Sequence, residues 1–137
     1  MYSDRYIIGF AGAAGQCLRV ANWILDGRVD AEGNEVVPFF HDREEIMYEV
    51  VFIDRVDGRL YAVEGILCDI IEISYPYAIG SGTQYALGAL HALEGSKGKK
   101  KNLAVKAVQA AAHNDLYSNN TITAIDVELV DASELED

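Results

Sequence analysis

Positive charge is scarce in this sequence: 11 Lys and Arg stand against 22 Asp and Glu, for a net charge of −11. A chain so acidic is a poor partner for nucleic acid or an anionic membrane, since both are polyanions. Long apolar runs are missing too, and none approaches the roughly 20 residues of a membrane-spanning helix. The N-terminus, "MYSDRYIIGFAG", has no basic region leading into a long apolar segment, so it does not read as a secretory signal. There are two cysteines, Cys17 and Cys68, with no CxxC pair. A domain of this size needs no disulfide staple, and a reducing cytoplasm is the expected setting. The histidines His41, His91 and His113 have no ligand spacing on one helix face, so nothing resembles a zinc site. There is no internal repeat and no linker.

What is present is apolar residues in two periods. Half of the 137 residues are hydrophobic, enough for one compact domain, read as residues 1–130 with an acidic tail at 131–137. "YIIGF" (Tyr6 to Phe10) predicts a strand ending in the breakers of "AGAAG". Cys17, Val20, Ala21, Ile24 and Leu25 then fall at helical spacing, with Gly27 placed to end the helix. Arg28 to Glu45 is polar and weakly patterned, with a hairpin tip at "EGNE". "MYEVVFI" (Met47 to Ile53), Arg59 to Val63 and Leu67 to Ser74 predict three strands, the first two joined by the hairpin signal Asp57-Gly58. Thr83 to Glu94 predicts a helix with Ala86, Ala89, Leu90 and Leu93 inward. A second helix is expected from Leu103 to about His113, capped by Asn102, with Leu103, Ala104, Ala107, Val108 and Ala111 inward. Thr121 to Val130, "TITAIDVELV", alternates as a closing strand. Hairpin-linked strands with segregated helices argue α+β rather than a parallel wind.

Three features bear on chemistry. Gly80-Ser81-Gly82 sits between a strand and a helix, where it can cradle a phosphate, present a serine or simply turn. A dinucleotide fingerprint needs GxGxxG, and Tyr85 occupies the third glycine position. No Gly-Lys-Ser/Thr follows, so the P-loop pattern fails. The plain turn is the favoured reading of these three residues alone. Asp115-Leu116-Tyr117-Ser118 follows a helix and places a carboxylate and a hydroxyl three residues apart, able to orient an amine or hydroxyl elsewhere; taken alone, it reads as a helix stop with Asx and Ser turns. Cys17 reads as core, and the lysines of Lys97 to Lys101 as a solvated loop.

Taken in order, "YIIGFAGAAGQCLRVANWI", a valine-rich hairpin, "YAIGSGTQYALGALHAL" and "AVKAVQAAAHNDLYSNNTITAID" resemble the proteasome β-subunit and HslV family of N-terminal-threonine peptidases. The short proteasome-like proteins of bacteria and phages are the nearest in style. The resemblance runs from Ile7 to about Val127. It implies an Ntn-hydrolase-like αββα fold, an antiparallel β sandwich flanked by helices. It also implies homo-oligomeric stacked rings, an ATP-dependent unfoldase partner and protein or peptide substrates. In that family a threonine freed at the N-terminus is the nucleophile and its α-amine serves as base. Carried over by motif, Ser81 matches the Gly-Ser-Gly serine, Asp115 the network aspartate and Ser118 its partner serine. Backbone carbonyls of Ala112, Asp115 and Ser118 match a cation-binding segment, for a structural monovalent or divalent ion; no other cofactor is implied.

The departure from the family lies upstream. The family's threonine, early aspartate and lysine precede the Gly-Phe-Ala-Gly strand, whereas here only Met1 to Arg5 do. No threonine precedes Thr83 and no lysine precedes Lys97. Ser3 lies too close to Ile7 to serve, and Tyr2 disfavours removal of Met1. The expectation is a domain truncated at its N-terminus, inactive as given, with an exposed sheet edge that leaves it marginal alone or buried in an oligomer. A non-catalytic ring or binding subunit of the same fold is the alternative. A nucleotide-binding α/β domain, the third option, requires a parallel sheet.

Overall fold

The computed structural model describes residues 1–41, 43–119 and 121–135. They form two compact units, Met1–Ser74 with Glu128–Asp137, and Tyr75–Val127. No helix among the described residues is long and apolar enough to cross a membrane.

The first unit is a four-stranded sheet with one helix. Strands β1 (Tyr6–Gly12), β2 (Tyr48–Asp54), β3 (Arg59–Glu64) and β4 (Asp69–Ile73) lie in the order β1-β2-β3-β4, every neighbour antiparallel. The α+β expectation therefore stands, and the parallel crossover that a dinucleotide site requires is not found among the described residues. Alternation sets the register. Val50 faces Phe10 and Val63, and Phe52 faces Ile8 and Tyr61. Tyr48, Val50 and Phe52 thus share one face. Helix α1 (Ala14–Leu25) packs into the same core through Cys17, Val20, Ala21 and Ile24, which are buried, and Leu25, half-buried against it, the five residues its spacing nominates.

Gly12 ends β1 at φ +107°, and a β-carbon there would collide with the Met47 carbonyl. The same carbonyl accepts the Ala13 N–H at 2.8 Å, so the strand-to-helix turn sits directly on the entry to β2. The weakly patterned Arg28–Glu45 stretch is fixed from outside. Gln16, buried on α1, donates to the Glu45 carbonyl at 2.7 Å and to Glu44 Oε1 at 3.1 Å, and accepts the Met47 N–H at 2.7 Å. Phe40 enters the core from this stretch and stacks on Tyr48. The "EGNE" tip is closed by the bridge Val29–Glu35, with Asp30 accepting the Glu32 and Asn34 amides at 2.9 Å.

Two expectations need correction here. The outer edge of β1 is partly covered, not bare: Met1 to Ser3 fold back on it. The Ile8 N–H donates to the Met1 carbonyl at 2.8 Å, the Met1 ammonium to the Ile8 carbonyl at 3.1 Å, and Tyr2 bridges Ile7. The closing strand at Thr121 to Val130 does not form a ladder among the described residues. Single bonds at the β2–β3 turn hold its end instead: Arg55 Nε donates to the Glu128 carbonyl at 2.8 Å, and Val130 N–H to the Arg55 carbonyl at 2.9 Å. Alternation licenses an extended chain, but a strand also needs a partner edge. Beyond it, Ala132–Glu134 form one 3₁₀ turn capped by Asp131.

The second unit pairs α2 (Thr83–Ala92) with α3 (Lys100–Asn114). Its hydrophobic core is Ala86, Ala107 and Ala111, joined by the half-buried Ala78, Tyr85, Ala89 and Leu90. Helix α3 begins before the expected Asn102 cap, and Asn102 lies inside it. Ala104 and Val108, expected inward, are exposed; Ala107 and Ala111 are buried and Leu103 half-buried. Alanine-rich helices carry little amphipathic contrast, so their spacing fixes a helix but not its facing side.

Candidate functional site

Gly80, at φ +100°, turns the chain after Ile79, and its carbonyl accepts both the Thr83 hydroxyl at 2.7 Å and the Thr83 N–H at 3.2 Å. Gly82 then opens α2, its carbonyl taking the Tyr85 and Ala86 amides at 3.1 Å. Gly82 has an ordinary φ of −90°. Its lack of a side chain serves closeness instead. A β-carbon there would lie 2.8 Å from Ala111 Cβ and 2.9 Å from Ser118 Oγ. The glycine lets the start of α2 press against the end of α3.

That approach brings Ser81 to Asp115. Ser81 Oγ donates to Asp115 Oδ2 at 2.6 Å, and Ser118 Oγ donates to the same oxygen at 2.7 Å. The Ser118 N–H closes the turn on the Asp115 carbonyl at 3.3 Å. All three residues expected from the family motif therefore meet on one carboxylate. The Ser81 and Ser118 hydroxyls, with the Tyr117 amide, hold the Asp115 carboxyl below the usual carboxylate range. A carboxylate so stabilised is a weak base, and no imidazole or amine is hydrogen-bonded to Ser81 Oγ among the described residues. The arrangement orients hydroxyls; it does not prime Ser81 as a nucleophile. Between the anchors, Leu116 and Tyr117 are 95% and 86% exposed.

Ala112 lies in the last turn of α3, one helical turn before Asp115. Among the described residues no group of three His, Cys, Asp or Glu side chains gathers as metal ligands. His41, His91 and His113 are exposed and dispersed, and His91 pairs only with Glu94 at 3.5 Å. Cys17 is core, its thiol donating to the Ala11 carbonyl at 3.2 Å; burial pushes both thiols up in pKa, which keeps them inert. Thr83 and Ala111 went unremarked as parts of this site. The small residues at 82 and 111 are the only trace of their contact in the sequence.

No family model matches the chain, and no curated protein matches it. Solved structures do. BPH of Thiobacillus denitrificans, in complex with epoxomicin, superposes with a TM-score of 0.68 at 20% identity, over 95% of this chain and 79% of that one. A second structure of the same BPH gives 0.63 at 19% identity, over 93% and 77%. Eukaryotic HslV from Trypanosoma brucei gives 0.59 at 20% identity, over 88% and 74%. The chain has the fold of these proteins, as the resemblance implied.

Proposed function

We propose that residues 1–130 act as one proteasome-like domain, a subunit of a cytoplasmic homo-oligomeric peptidase, in which Ser81, Asp115 and Ser118 form the wall beside an active site. The observation that carries this reading is the convergence of both serines on one Asp115 oxygen, in a chain with the fold of BPH and HslV. Asp115 is a positioning residue: its carboxylate fixes both hydroxyls. Protein or peptide substrates and an ATP-dependent unfoldase belong to the same reading. A cation at Ala112, Asp115 and Ser118 would rest on their backbone carbonyls, as the resemblance implies; such a set suits a loosely held hard cation.

Among the described residues no imidazole or amine is hydrogen-bonded to Ser81 Oγ, which is fixed on Asp115. That favours a second reading, a ring or binding subunit without catalysis of its own. Turnover of fluorogenic peptides and binding of epoxomicin, the compound held by BPH, separate the two. Both are expected on the catalytic reading once the chain carries its threonine strand, and neither on the second; turnover there that survives Ser81→Ala would overturn the wall assignment. A coding sequence that supplies a threonine-bearing strand ahead of Met1 would restore the catalytic reading; its lack would leave the non-catalytic one.

A further inference from the structure

Charge divides between the two units. All five lysines fall between Lys97 and Lys106, within the unit Tyr75–Val127, whose only acids are Glu94, Asp115 and Asp126. Lys101 pairs with Asp126 at 3.5 Å. Lys99 and Lys100 are exposed and form no ion pair among the described residues. Lys100, Ala104 and Val108 recur at i, i+4 and i+8, so a basic end and an apolar stripe share one outward face of α3. Val108 is 42% exposed.

The tip of the β3–β4 hairpin has the opposite character. Glu64 and Asp69 stand directly across the ladder from each other, and like charges so placed are destabilising. Two other carboxylates on the sheet have cations: Asp54 pairs with Arg5 at 2.9 Å and Glu72 with Arg59 at 3.5 Å. Glu64 and Asp69 have none among the described residues. Between them Ile66 and Leu67 are 47% and 67% exposed. This is an apolar knob between two unpaired carboxylates, carried on a turn.

We propose that the β3–β4 tip of one copy docks on the outward face of α3 in the next, with Ile66 and Leu67 against Ala104 and Val108, and Glu64 and Asp69 towards Lys99 and Lys100. Both halves of the contact belong to this chain and are opposite in sign, so the fitting occupant is a second copy. The contact is heterologous, the type that closes into a ring when its rotation closes. It deepens the homo-oligomer part of the proposal above and rests on it.

Sedimentation velocity on charge-reversed proteins tests it. The wild type is expected to associate at low salt and to weaken as salt rises. Lys99→Glu/Lys100→Glu alone, and Glu64→Lys/Asp69→Lys alone, should each self-associate at least about tenfold more weakly. An equimolar mixture of the two should associate again, since each copy then meets its complement. That mixing arm also shows that both variants are folded. Should the reversals misfold, as read by circular dichroism, Lys99→Gln/Lys100→Gln with Leu67→Ser takes their place and should weaken association in the same way. Association unaffected by the reversals, with no recovery specific to the mixture, would overturn this contact while leaving the oligomer standing. A wild-type monomer at every salt concentration would overturn both.

Discussion

The sheet unit buries Ile24, Val20, Val50 and Cys17 almost completely, whereas among the described residues of the helical unit the buried ones are Gly82, Ala86, Ala107 and Ala111. One core gains from apolar volume, with Ile8, Phe40 and Phe52 filling the space around α1. The other brings two backbones close enough for hydroxyls to reach a carboxylate. Removing bulk harms the first; adding bulk harms the second. The unit that carries the candidate site is thus the one whose geometry depends on what its residues lack.

The largest effect is expected where the sheet unit itself depends on a missing side chain. Gly12→Ala must adopt a left-handed backbone and meet the Met47 carbonyl, which belongs to a strand entry and cannot step aside. A loss of more than about 4 kcal/mol, read by urea unfolding or as failure to yield folded protein, is the expected outcome. Ile24→Ala comes next: a cavity in the bulky core should cost about 3 kcal/mol, while Ile24→Leu, which keeps the volume, should cost less than about 1.5 kcal/mol. An equal cost for both would remove bulk as the principle of that core.

In the helical unit the direction reverses. Gly82→Ala adds one methyl at an ordinary φ, so its cost is steric, about 1–3 kcal/mol. Ala111→Gly in the same protein should recover part of it in a double-mutant cycle. Purely additive losses would mean that the two residues do not press on each other.

The smallest effect is electrostatic. Glu44, held by the Arg19 guanidinium, is lowered to about 2, and Asp115 is lowered by its two serine hydroxyls. Both folded-state pKa values lie below the unfolded ones, so each group's stabilisation is complete above pH ~4.5 and is lost as pH falls through the folded value. Acid titrations of Glu44→Gln and Asp115→Asn should each flatten part of that fall. Salt should erase the Glu44 share and spare the Asp115 share, since only the former is an ion pair. Equal salt sensitivity would contradict the different partners.

The bulky unit was readable because it announces itself by contrast. The spacing of Cys17, Val20, Ala21 and Ile24 named the buried face of α1, and Asp57-Gly58 named the hairpin. The alanine unit was readable only in part. Nothing in the spacing of Leu103 to Ala111 distinguished Ala107, which is buried, from Ala104, which is not. Ser81 and Asp115 lie 34 residues apart, and no local pattern pairs them; the family resemblance places both in one network but pairs Asp115 with Ser118. The alternation of "TITAIDVELV" suggested a strand, yet strand formation depends on an available edge that the segment itself does not encode.

The sequence by itself determined the types of the four strands and three helices that form, the antiparallel order of the hairpins and the excess of negative charge, because these follow from local periodicity, turn chemistry and composition. Only the tertiary structure decided which alanines face inward, that Gly82 is a point of close contact and not merely part of a turn, and that one oxygen of Asp115 serves two serines. Those outcomes depend on distances between segments remote in the chain, which a local pattern does not specify.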